Sequence, residues 1–254
     1  MKTSRELAAG YDAIGRTKTG LPLGRMFLFG MFAGAFIALG ALGSQVAGSV
    51  AGRLAGAFVF PVGLTMVLLA GVELFTGNCL LSIPLCNRAI GPAALLRNWV
   101  VVYLGNFAGS LLVALAAVKG GSLAGPVAAA AVATAQTKAS LPAVQALLRG
   151  VLCNVLVCMA VWMASLAGEL AGKILSLYLP TMLFVLCGFE HSVANMYFIP
   201  AGMMLGAHVS VAQFLWNNLF FVTIGNIVGG AVVVGCGFRI LYCDSAGGAA
   251  PRGS

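Results

Sequence analysis

The stretch Gly71-Val72-Glu73-Leu74-Phe75-Thr76-Gly77-Asn78 sets a carboxylate, a hydroxyl and a flexible Gly-Asn pair inside one of the longest apolar runs of the chain. A second stretch, Gly188-Phe189-Glu190-His191-Ser192-Val193-Ala194-Asn195, does the same at an offset of 117, with Gly, Glu and Asn in matching places. Farther on, Asn98, Gly105, Asn106 and Gly109 align with Asn218, Gly225, Asn226 and Gly229 at an offset of 120. Two matches in the same order, at nearly one offset, argue for internal duplication rather than chance likeness between apolar segments.

The surroundings of these breaks are those of a membrane protein. The 254 residues are 61% hydrophobic and only 8% charged, too little charge to cover a soluble surface. Mean hydropathy is +1.02. Apolar runs over about 26–50, 55–86, 97–118, 143–168, 174–207 and 212–238 predict six transmembrane helices. The second and fifth runs exceed one simple span and contain the two polar stretches, so they read as broken helices. Three spans per half invert the second copy relative to the first, as in many transport proteins. The expected fold is an all-α integral membrane protein of two inverted three-helix repeats, about 26–118 and 143–238. Gly105/Gly109 and Gly225/Gly229 have the spacing that permits close helix approach, and are expected to pack helices three and six within a subunit or against a neighbour.

Residues 1–25 carry Lys2, Arg5, Glu6, Asp12, Arg16 and Lys18 without an apolar core, and read as a cytoplasmic amphipathic segment rather than a signal peptide. The six-helix transmembrane domain spans 26–240. Residues 241–254 read as a cytoplasmic tail, ending in Pro251-Arg252-Gly253-Ser254, which resembles the remnant of a cleaved tag. With the N-terminus inside, ten basic residues fall in inner segments; Arg53, Lys119, Lys138 and Arg149 fall outside. That bias places both termini in the cytoplasm. The net charge of +8 is scattered over helix ends and forms no basic stripe, so no nucleic-acid partner is expected. Seven cysteines show no CxxC or Cys/His spacing, so neither a metal site, a cofactor nor a disulfide framework is expected.

A glutamate within an apolar segment must face water or a partner. Unwound backbone at membrane depth survives only where protein buries it or a cavity wets it. The first break therefore lines a pathway, with Thr76 as a hydroxyl donor or acceptor and Leu74 and Phe75 as an apolar constriction; an ordinary loop at the membrane edge is the alternative. In the second break His191 is an ionisable group that titrates near neutrality. His208, near the end of helix five, reads as interfacial. Lys138 falls in the connection between helices three and four, either as a solvated surface lysine or as an anion-attracting group at a pore mouth. Asn154 is polar in an apolar helix, bonding into the pathway or bridging two helices.

These residues resemble the formate/nitrite transporter family. The likeness rests on Glu73 to Asn78, Arg97-Asn98-Trp99 with Gly105-Asn106, Cys153 to Cys158, Gly188 to Met196, and Val222 to Asn226, and covers about residues 10–240. It implies an aquaporin-like subunit with its own pore, a homopentamer in a bacterial or archaeal cytoplasmic membrane, and passage of small monovalent anions such as formate, nitrite or hydrosulfide, either with a proton passed transiently from the central histidine or by simple channelling past a neutral one. By matching motif it sets Thr76 opposite His191 at the pore centre and Asn154 beside them. It places Leu74 and Phe75 in the inward constriction, Phe60, Leu64 and Phe184 at apolar slits, Glu190 as the orienter of the histidine, and Lys138 in the outer vestibule. An aquaporin-like neutral-solute channel is the alternative within transport, although no Asn-Pro-Ala occurs. A membrane redox subunit is a more distant one.

Overall fold

A computed structural model describes residues 2–243, and the expected tail and tag remnant at 244–254 lie outside them. Among the described residues every regular element is helical. The elements are α1 (Ser4–Thr19), α2 (Leu23–Val59), α3 (Pro61–Leu69), α4 (Ser82–Cys86), α5 (Pro92–Lys119), α6 (Gly125–Ala139), α7 (Ala143–Leu166), α8 (Leu170–Cys187), α9 (Ser192–Met204) and α10 (Gln213–Cys243). A tight turn, Gly77–Leu81, leads into α4.

Five helical runs are long and apolar enough to cross a membrane: Leu23–Leu69, Pro92–Lys119, Ala143–Leu166, Leu170–Cys187 and Gln213–Cys243. The first has 47 residues, roughly 70 Å at 1.5 Å per residue and more than twice a bilayer core. It reverses at Gly52, whose φ of 83° is open to glycine but costly for other residues. Six crossings result. The second is interrupted after Leu69 and the fifth after Cys187, where Gly188 caps α8 in the left-handed region.

The two halves pack alike. Gly30, Gly34, Gly105 and Gly109 let α2 and α5 touch backbone to backbone, and Gly150, Gly225 and Gly229 do the same for α7 and α10. The paired glycines thus pack helix three on helix one and helix six on helix four, within the chain, which is the first of the two expected arrangements. Each glycine row faces the first span of its own repeat, so the contact was duplicated with the repeat.

The 119–142 connection is itself a helix, α6, and its counterpart is α1. α1 carries a capping box between Thr3 and Glu6 and docks Leu7, Ala8 and Tyr11. Tyr11 stacks on Trp162 at 5.6 Å. Arg97 fixes its end by donating to the Thr19 and Leu21 carbonyls.

A Cβ at Gly105 would press into the Phe27 carbonyl and the Gly30 backbone, whereas one at Gly24 meets open space. Gly105→Ala is expected to lower stability by about 1–3 kcal/mol through overpacking, seen as a lower unfolding temperature in detergent. Gly24→Ala should leave that temperature unchanged.

Candidate functional site

Each break needs partners for its backbone, and one asparagine per half supplies them. Asn106 Oδ1 accepts from the Phe75 N–H at 2.9 Å, while its Nδ2 donates to the carbonyls of Gly30 and Glu73. Asn226 Oδ1 accepts from the Ser192 N–H at 2.9 Å, and its Nδ2 donates to the carbonyls of Gly150 and Glu190. Both asparagines are fully buried.

A charged cluster is duplicated in the same way. Lys18 Nζ meets Glu73 Oε1 at 2.8 Å, Asn78 Nδ2 donates to the other Glu73 oxygen and to Asn98 Oδ1, and Asn98 donates to the Lys18 carbonyl. In the second half Lys138 Nζ meets Glu190 Oε1 at 2.8 Å, Asn195 Nδ2 donates to the other Glu190 oxygen and to Asn218 Oδ1, and Asn218 donates to the Lys138 carbonyl. Lys18 and Lys138 stand at one offset of 120. The clue was Thr17-Lys18 with Leu21-Pro22, repeated as Thr137-Lys138 with Leu141-Pro142. Sequence reading singled out Lys138 but missed Lys18, because Lys18 lies in a segment taken to precede the repeat.

Thus anchored, the loops bring the tips of the two breaks together. Thr76 Oγ1 and His191 Nε2 lie 3.0 Å apart, both buried. His191 is the N-cap of α9, its Nδ1 accepting the Ala194 N–H at 3.1 Å. A ring nitrogen that accepts from an amide carries no proton, so the neutral ring holds its proton on Nε2, facing Thr76. Asn154 Nδ2 holds the Thr76 carbonyl at 3.2 Å and the Asn226 carbonyl at 2.7 Å, so it both bridges helices and fixes the threonine.

Apolar side chains flank this pair. Phe184 stacks on the His191 ring at 5.8 Å, and Phe60 meets Phe184 edge-on at 5.6 Å. These line a vestibule of about 340 Å³ that reaches Lys138. Leu64 and Leu74 line a second vestibule, of about 540 Å³, that reaches Lys18 and Glu73. Two side chains stand otherwise than expected. The Phe75 ring packs edge-on to Tyr103 at 4.8 Å and faces the apolar groove between α5 and α10, so Leu74 faces the second vestibule without it. Glu190 gives its two oxygens to Lys138 and Asn195 and makes no bond to His191, whose nitrogens are taken by Thr76 and Ala194. His208 is exposed beyond α9.

Two vestibules, one lined by His191 and the other by Leu74 and Gly77 on either side of Thr76, inside a chain of six spans define the class: a membrane transport protein. The chain belongs to the formate/nitrite transporter family, whose model matches residues 5–240. It is 41% identical to a probable formate transporter of Methanothermobacter thermautotrophicus, across 95% of this chain and 97% of that one. It also resembles a solved FNT family ion channel (TM-score 0.82, 32% identity, 94% of this chain and 98% of that one). A solved pentameric formate channel with formate bound is similar at TM-score 0.77 and 32% identity, over 87% of this chain and 98% of that one.

Removing one partner of a buried ion pair leaves the other charge uncompensated. Lys138→Met should destabilise the protein by about 3–5 kcal/mol, and adding Glu190→Gln should recover most of the loss. Lys18→Met should cost less, because the Lys18 side chain is 30% exposed against 16% for Lys138. Unfolding temperatures of the three variants check the order.

Proposed function

We propose that this chain passes small monovalent anions of weak acids, formate foremost, through a pore within each subunit of a homopentamer. The observation that carries the reading is the Thr76–His191 contact: two hydroxyl- or ring-borne donors converge on one point between apolar walls. The names of the relatives supply formate and the five-fold assembly. The basic-residue bias supports a cytoplasmic-membrane protein with both termini inside, with the Lys18 vestibule inward and the Lys138 vestibule outward.

A bare anion loses hydration between Phe60, Phe184, Leu64 and Leu74, which is costly without replacement hydrogen bonds. The Nε2–H of His191 and the Thr76 hydroxyl are the replacement, since both can turn from each other to an inserted carboxylate. The amide cap on Nδ1 keeps the resting ring neutral, so the anion meets a donor rather than a cation that would trap it. Proton exchange runs through Nε2. A proton taken from vestibule water onto Nδ1 opens the Ala194 cap and sets a charge against the positive end of α9, which pushes the Nε2 proton onto the anion. The solute crosses the slit as the neutral acid and on the far side gives that proton back to Nε2, while Nδ1 releases its own proton to water and the cap closes again.

The test is radiolabelled formate uptake into proteoliposomes from about pH 5 to pH 8. Wild-type uptake should rise as pH falls. His191→Asn keeps a donor but cannot exchange a proton, so it should transport slowly and with the pH dependence flattened. An unchanged rate and pH profile would overturn proton exchange, and absence of wild-type uptake would overturn the anion reading itself.

A further inference from the structure

Past Thr76 the first break runs through the turn Gly77–Leu81 into α4, and α10 holds that stretch in place. Ser82 Oγ donates to the Ala231 carbonyl of α10 at 2.8 Å, and a side chain at Gly235 would collide with the same hydroxyl. About one turn farther along each helix, Cys86 Sγ and Cys236 Sγ lie 3.5 Å apart, although 150 residues separate them in the chain. Duplication does not explain this pair. At offsets of 117 and 120 Cys86 meets Met203 and Gly206, and Cys236 meets Lys119 and Ala116.

Both thiols are free, Cys86 exposed and Cys236 half-buried. They stand beside a polar rim where α1, α4 and α10 meet. Asn87 Nδ2 donates there to Asp12 Oδ1 at 3.0 Å, and Arg239 Nε donates to Asn87 Oδ1 at 3.2 Å. Cys79, Cys153 and Cys158 are fully buried, out of reach of a dissolved reagent. A disulfide holds its sulfurs about 2.05 Å apart, so the Cys86–Cys236 contact has to close by only roughly 1.5 Å.

We infer that Cys86 and Cys236 are a modification site, a reversible disulfide made by exchange with a low-molecular-weight disulfide, which ties the first break to α10 and slows the pore. The bond rests on the sulfur geometry; its effect on flux rests on the transport function proposed above. The more exposed Cys86 thiolate attacks one sulfur of the small disulfide and expels a small thiolate, leaving a mixed disulfide. The Cys236 thiolate then attacks the Cys86 sulfur, the protein S–S bond forms, and the second small thiolate leaves. The two cysteine protons pass through water to the two small thiols, and two electrons move from the protein to the small disulfide. On the inward face proposed above the pair rests as thiols, because the cytoplasm is reducing. Admitting an anion between Thr76 and His191, 3.0 Å apart, requires the first break to give way. Asn78 to Pro84 are buried and close-packed, so a covalent tie at Cys86 is felt back along the segment to Thr76.

The experiment treats purified protein with glutathione disulfide at about pH 8, near the ordinary thiol pKa, and reconstitutes it for radiolabelled formate uptake. Peptide mapping should show Cys86 joined to Cys236, and the unfolding temperature should rise, because the bond closes a long loop. Uptake should fall severalfold and return with dithiothreitol. The double variant Cys86→Ser/Cys236→Ser should transport like reduced wild type before and after the oxidant. A map without the Cys86–Cys236 linkage, or with glutathione left on Cys86 alone, overturns the site. Linkage with unchanged uptake, or an equal loss in the double variant, overturns its action on the pore. Reduced wild type that takes up no formate overturns the transport reading instead, and the disulfide then stands or falls on the linkage and the unfolding temperature.

Discussion

A peptide group that leaves its helix at membrane depth must be bonded again by protein, and two asparagine side chains do this. Asn106 and Asn226 each make three side-chain hydrogen bonds, all to backbone and two of them to the break itself. Each also reaches the first span of its own half, through Gly30 or Gly150. The glycine rows beside them bring those spans close enough for the bond to close. Helix packing, loop shape and the position of Thr76 and His191 all follow from that one satisfied requirement.

On this symmetric frame the chemistry is asymmetric. One loop tip ends in a hydroxyl and the other in an imidazole that caps a helix. The capping bond settles which ring nitrogen carries the proton, so the site presents a neutral donor at rest. The lysine–glutamate pairs are each part of a buried network and act first as structure: they hold the loops and cancel their own charge.

Much of this was legible in the sequence because duplication doubles every signal. The Gly, Glu and Asn of the breaks, and the later Asn and Gly pairs, are visible at offsets of 117 and 120. Six crossings follow from hydropathy and length. What was not legible depends on side-chain direction. Leu74 and Phe75 are neighbours in an irregular loop, where no periodicity tells which one faces the pore. Glu190 and His191 are adjacent in sequence, yet the carboxylate turns toward α6 and the ring toward Thr76. The glycine pairs revealed close packing but not the partner. Lys18 was hidden by its setting, a polar amphipathic segment that resembles a tail, although Thr-Lys and Leu-Pro recur 120 residues on.

The claim that the two loop tips form one anion site is tested most directly by an experimental density map of the protein in lipid with formate present. The account predicts Thr76 and His191 facing each other, with formate density within hydrogen-bond distance of both Thr76 Oγ1 and His191 Nε2. A map with those side chains turned apart, or with formate bound in the pore away from both, would contradict it.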